Sequence, residues 1–326
     1  MGTHLAKNTA FMTFASVGQK IIAFVYFLCL ARVMMPETTG IFFLATSFIT
    51  MFSVLSDLGL TSIVIREIAK DPKNREQYVR RAIGLKLILI SFAVIIVSLA
   101  TVIFQYSDEI SRLIFITMIV MILDALALLC FGVLRGSQLL TYEAMSIVIG
   151  QCVTFLIGGL SLFLNPDVTW LVIALICGSF TNLLVASFFV VRTYGRKILK
   201  PIFDGKAMKQ AIHVMIPFAL AGIFTKIYSN VDVLFISKFM TTAAVGIYSV
   251  AYKFTYAFQF LPLALSAALY PSLSSTIEHN LQATTKTFSR SVWYIFLMVT
   301  PIVFGMWIMA PFLVSLTGSG YASSAV

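Results

Sequence analysis

IGLKLILISFAVIIVSLATVIFQ, running from Ile83 to Gln105, carries a single charge, Lys86, near its start. A helix needs about 20 predominantly apolar residues to cross a bilayer, and this run is too long and too evenly apolar for a barrel strand. Hydrocarbon offers the backbone no hydrogen-bond partner, so the run predicts a membrane-crossing helix.

Comparable runs fall at residues 10–34, 40–65, 113–134, 144–164, 168–192, 211–236, 243–270 and 290–311, which with this one makes nine spans. The whole chain agrees: 60% of its 326 residues are hydrophobic and only 11% are charged, against about 25% charged in a soluble domain. Mean hydropathy is +0.97. This excludes a disordered chain, a disulfide-stapled secreted module and a nucleic-acid-binding domain. The expected fold is all-α, a polytopic membrane helix bundle.

The formal net charge of +10 is explained by where the cations sit. With the N-terminus on the cytoplasmic side, the inner segments hold 17 Lys and Arg and the outer ones only Arg32, Arg112 and Lys238. Basic residues stay inside, so the expectation is a cytoplasmic N-terminus and a multi-pass protein of the inner (plasma) membrane. The first run follows a short segment without a cleavage site and reads as a retained helix. Cys29, Cys130, Cys152 and Cys177 lie in apolar runs with no metal or redox spacing, so neither a metal nor a cofactor is expected.

The chain also repeats itself. At an offset of 206, Ala10 to Ala45 aligns without a gap on Ile216 to Ala251, pairing Lys20 with Lys226, Arg32 with Lys238 and Gly40-Ile41 with Gly246-Ile247. Six spans separate the first helix from the seventh, so the copies point the same way, as in transporters whose two lobes flank a substrate path. The expected division is an N-terminal lobe, residues 1–200 with helices one to six, and a C-terminal lobe, residues 201–326. The basic loop from Arg192 to Lys209 joins them. Only three spans follow the loop, so the second of two six-helix lobes reads as truncated, with about three helices missing.

Charges within spans are costly and are functional candidates by default, the bland alternative being snorkelling or an internal pair. Lys20, Lys226, Lys253, Asp57, Asp124 and Asp232 qualify. Thr9, Thr13, Ser16 and Lys20 form one polar stripe; Lys226 is accompanied by Ser229 and Asn230. Tyr248, Tyr252, Tyr256 and Gln259 form a row beside Lys253, suited either to sugar stacking or to plain helix packing. We expect Lys20, Lys226 and Lys253 to make a cationic cavity lined by Thr13, Ser16, Asn230, Tyr252, Tyr256 and Gln259. Asp124 and Asp232 are candidates for ion coupling, while Asp57 suits a local structural pair. Pro217, Pro262 and Pro301 lie within spans, and Gly132 to Gly136 spells G-x-x-x-G, a signal for close helix contact.

The stretch Leu30-Ala-Arg-Val-Met-Met-Pro-Glu-Thr-Thr-Gly-Ile41, then Phe52-Ser-Val-Leu-Ser-Asp57-Leu-Gly-Leu60 and Ile65-Arg-Glu-Ile68, resembles the opening of the polysaccharide-biosynthesis, Wzx-type flippases of the multidrug/oligosaccharidyl-lipid/polysaccharide (MOP) superfamily. Asp232 to Lys238, Gly246-Ile-Tyr-Ser and Leu269-Tyr-Pro271 resemble its second lobe. The resemblance implies a MATE-like bundle that moves undecaprenyl-pyrophosphate-linked oligosaccharide, an O-antigen or exopolysaccharide repeat unit, across the bacterial inner membrane by alternating access. It also implies the polymerase and chain-length regulator as partners, with the lysines meeting the pyrophosphate.

Two alternatives stand beside it. A cation-coupled multidrug exporter of the same superfamily would prefer carboxylates in its cavity, and three in-span Lys face three in-span Asp. A membrane glycan polymerase or ligase would need clustered acid, base or nucleophile groups, whereas His4, His213 and His279 are scattered. The protein is therefore not expected to be an enzyme.

Overall fold

A computed structural model describes residues 2–258, 281–318, 320 and 321. Its elements are α1 (Gly2–Val33), α2 (Pro36–Phe52), α3 (Leu60–Lys70), α4 (Arg75–Phe104), α5 (Asp108–Gly136), α6 (Leu140–Leu164), α7 (Val168–Tyr194), α8 (Gly205–Phe239), α9 (Thr242–Tyr256) and α10 (Leu281–Ser315). Short 3-10 turns follow α2 (Ser53–Ser56) and α7 (Arg196–Leu199). Among the described residues eight helices are long and apolar enough to span a membrane. Most of the expected span 243–270 beyond α9, with Gln259, Pro262 and Leu269 to Pro271, lies outside the described residues.

The helices divide into two compact units, residues 1–245 and 246–326. In the first, α1 packs on α6, α6 on α7, α7 on α5, and α5 on both α2 and α3; α8 lies against α2. Large apolar side chains face outward, Phe163 at 87% and Ile103 at 74% exposure, as a surface bathed in hydrocarbon requires. Small residues let the helices approach. A Cβ on Gly178 of α7 would collide with Thr154 of α6, and one on Gly158 of α6 with the Tyr26 ring of α1. The G-x-x-x-G pair works the same way on α3: a Cβ on Gly132 would sit 2.9 Å from the Thr61 methyl, and one on Gly136 3.0 Å from Ile68 Cβ.

The expected span 40–65 is corrected. It does not continue through Asp57 but ends in the 3-10 turn, after which Leu58 (φ 45°) and Gly59 (φ 85°) take left-handed backbone and start α3 in a new direction. Gly59 suits the turn twice, since a side chain there would be strained and would also strike Phe218 of α8. Asp57 ties the break together. Its Oδ1 accepts from Thr61 Oγ1 at 2.6 Å and from Lys86 Nζ at 2.6 Å.

The internal repeat survives as matching boundaries. α1 ends at Val33 and α8 at Phe239; α2 begins at Pro36 and α9 at Thr242. Both pairs are 206 residues apart, so the loops of the two copies fall in register.

Between α7 and α8 the linker is fastened to the start of α4. Arg80 Nε donates to Lys200 O at 3.1 Å and Ile202 N to Arg80 O at 2.9 Å. Arg81 pairs with Asp204 at 2.9 Å. A Cβ on Gly84 would collide with the Ile202 carbonyl, so glycine lets the linker lie flat on α4.

Candidate functional site

The first unit holds an open cavity of about 590 Å³ lined by α1, α2, α5, α6, α7 and α8. Its wall is mixed, with a set of polar side chains among apolar ones such as Ile49, Met121 and Phe131. Thr46 and Thr50 of α2 and Ser53 of the following turn, one face of the helix, contribute hydroxyls. Gln19 of α1, Gln151 of α6 and Asn182 of α7 contribute amides. The Asn182 Oδ1 is buried and has no hydrogen-bond donor among the described residues, which leaves an acceptor for a polar guest.

Four charged residues line it among those described: Lys226 of α8, Asp124 and Arg135 of α5, and Glu143 of α6. Asp124 lies against Ser179 and within electrostatic reach of Lys226. The described ion pairs do not join the two, so the ammonium is not closed off by a contact pair. Arg135 differs. Its Nε and Nη2 clasp the carboxylate of Glu143 at 2.5 to 3.0 Å. Glu143 is fully buried, whereas the Arg135 side chain is 39% exposed and also lines the cavity. The fork geometry of a guanidinium permits this double use. The described lining thus carries two cations and two carboxylates.

The sequence-named residues disperse. Lys226 and Asp124 come together in the cavity. Lys20 is exposed on α1, one residue from the lining Gln19; Thr13 is exposed and Ser16 half-buried. Asn230 is buried and donates its amide to the Lys226 carbonyl at 2.9 Å, holding its own helix. Asp232 accepts from the Val233 amide at 2.8 Å. Lys253, Tyr252 and Tyr256 belong to the second unit, where the rings of Tyr248, Tyr252 and Tyr256 follow one another 5.6 to 6.0 Å apart. Gln259 lies outside the described residues. Sequence reading missed Arg135, Glu143, Gln19, Gln151, Ser179 and Asn182. By sequence Arg135 is one of the 17 inner-side cations, and its place inside the G-x-x-x-G stretch from Gly132 to Gly136 was the available signal.

Outside the spans, Asp204 caps α8 by accepting from Ala207 N at 3.2 Å. That bond, with the Arg81 charge beside it, holds its carboxyl below the usual carboxylate range.

Residues 5–277 match the polysaccharide biosynthesis protein family. The chain belongs to that family. A probable low-salt glycan biosynthesis flippase of Haloferax volcanii is 25% identical to this chain over 312 residues. The match covers 93% of this chain, and the chain spans 62% of the length of that relative. Among solved structures, an inward-facing multidrug resistance MATE family transporter of the MOP superfamily superposes with a TM-score of 0.74 at 14% identity, covering 96% of this chain and 74% of that one. A MOP superfamily transporter from Pyrococcus furiosus superposes with a TM-score of 0.53 at 14% identity, over 99% and 74% of the two chains. The fold is therefore that of the MATE-like bundles, and this polysaccharide biosynthesis protein is a multi-pass membrane protein.

Proposed function

We propose that this polysaccharide biosynthesis protein belongs to a flippase that carries a lipid-linked glycan across the membrane, its substrate an undecaprenyl-pyrophosphate-linked oligosaccharide such as an O-antigen or exopolysaccharide repeat unit. Family membership and the Haloferax volcanii relative support the coarser part of this reading. The observation that carries the finer part is Lys226: a cation inside a hydroxyl- and amide-lined cavity, not closed off by a contact ion pair. A pyrophosphate cannot enter hydrocarbon without fixed positive charge in a polar path. Sugar hydroxyls need donors and acceptors such as those of Gln19, Gln151 and Asn182.

On this reading Lys226 receives the pyrophosphate, with Lys20 and Lys253 as further cations of the path and Thr13, Ser16, Asn230, Tyr252, Tyr256 and Gln259 along it. Asp124 and Asp232 couple the movement to an ion. The two lobes, residues 1–200 and 201–326, rock about the path in the bacterial inner membrane with the N-terminus cytoplasmic. A polymerase and a chain-length regulator would take the glycan onward.

The test is translocation of a fluorescent undecaprenyl-pyrophosphate oligosaccharide in proteoliposomes. Lys226→Ala should abolish flipping while Lys226→Arg retains part of it, both remaining folded. A second reading, a multidrug exporter for organic cations, draws on Asp124 in the same cavity. Efflux of cationic dyes that depends on Asp124, without any glycan flipping, would replace the first reading with the second.

A further inference from the structure

A second concavity, about 270 Å³, lies in the first unit where α3, the first turns of α4 and the first turns of α8 meet, apart from the polar cavity. Its floor is apolar, built by Leu60, Val64, Leu85, Met208 and Ala211, and its rim carries Arg66 and Arg81. Arg81 is oriented by the Asp204 carboxylate at its Nη2. Its Nε–H, however, is buried and has no acceptor among the described residues. Buried donors are nearly always satisfied, so this one points to a missing acceptor. Arg66 is exposed and pairs with half-buried Glu67, which also lines the groove, at 2.9 Å, a contact that solvent screens on the arginine side.

The surroundings are basic as well. In the flanking segments 66–81 and 204–209, eight Lys and Arg stand against four Asp and Glu. The groove also sits where α4 changes from a charged first turn to the apolar run after Ile83, the level at which headgroups meet acyl chains. An apolar floor under a cationic rim at that level is complementary to an amphiphile with an anionic head, as in basic pockets between helices that bind acidic headgroups.

We propose that this groove seats an acidic phospholipid, its phosphate against Arg81 and Arg66 and one acyl chain along the α3–α4–α8 floor. The lipid acts as a structural wedge between the start of α8 and the α3–α4 pair. It occupies a site separate from the transport path.

The experiment is native mass spectrometry of the purified full-length chain, released from detergent containing equal amounts of phosphatidylglycerol and phosphatidylcholine. Bound phosphatidylglycerol should predominate. Arg81→Gln should lower that preference about five-fold, the effect of removing one cation near an anionic headgroup. Ala211→Phe fills the floor while keeping the Arg81–Asp204 pair, and should remove the lipid adduct even where Arg81→Gln impairs folding. Equal binding of the two lipids, or unchanged phosphatidylglycerol preference in folded Ala211→Phe, would overturn the proposal. Displacement of the lipid by inorganic phosphate alone would also overturn it, by showing a plain anion site with no use for the chain.

Discussion

Lys86 and Asp57 form a contact ion pair at 2.6 Å, with the lysine side chain wholly buried and the carboxylate 17% exposed. The pair joins α4 to the break between α2 and α3, and Thr61 shares the same carboxylate oxygen. Removing one partner leaves a buried charge alone, which costs about 3 to 5 kcal/mol, whereas removing both together costs far less. Lys86→Ala should therefore lower the unfolding temperature in detergent sharply. Lys86→Met combined with Asp57→Leu should restore most of the loss, and a double variant as unstable as Lys86→Ala would show that the pair is not the source.

Gly178 and Thr154 set the distance between α7 and α6. Gly178→Ala places a methyl group where the Thr154 hydroxyl now sits, an overpacking that costs about 1 to 3 kcal/mol. Adding Thr154→Ala should recover part of the lost stability. Thermal unfolding of the two single variants and the double variant measures the coupling between them.

Asp124 partly neutralises Lys226. Asp124→Asn should therefore strengthen binding of a short prenyl pyrophosphate in the cavity, on the order of tenfold, as a change of about 1.4 kcal/mol gives. A fluorescence or calorimetric titration against the parent chain reads this directly. Weaker anion binding in Asp124→Asn would mean that the carboxylate organises the site instead of competing for the lysine.

The cap on α8 is pH-dependent with a definite sign. Asp204 is held ionised in the folded chain, so its stabilisation is complete above the ordinary aspartate pKa of about 3.9 and is lost as pH falls through the lower folded value. Asp204→Ala should unfold at a lower temperature than the parent near neutral pH. The difference should close only in strongly acidic buffer, and a gap that closes between about pH 5 and 7 would contradict the assignment.

Much of this architecture was legible in the chain itself because bilayer crossing imposes a coarse length and hydropathy rule. The run from Ile83 to Gln105 lies inside α4, and the offset of 206 reappears in the helix boundaries. The break at Leu58-Gly59 was hidden because Leu60 to Ile68 stays apolar enough to read as a continued span, although α3 is amphipathic. Polar residues were harder to place. Lys20 and Gln19 are neighbours, yet about 100° apart around α1, and only Gln19 lines the cavity. Arg135 read only as an inner-side cation because its partner Glu143 lies eight residues on, across a turn, where no periodicity links them.

Residues 196–204 have the length of a flexible tether but are fastened along their course to Arg80 and Arg81. Mechanically, such a segment transmits displacement instead of absorbing it: a shift at the first turn of α8 pulls on the start of α4, about one and a half turns from the Lys86 anchor. Extra residues placed at Gly195, where a side chain meets open space, would leave this linkage taut, whereas the same insertion between Lys200 and Ile202 would put slack into it.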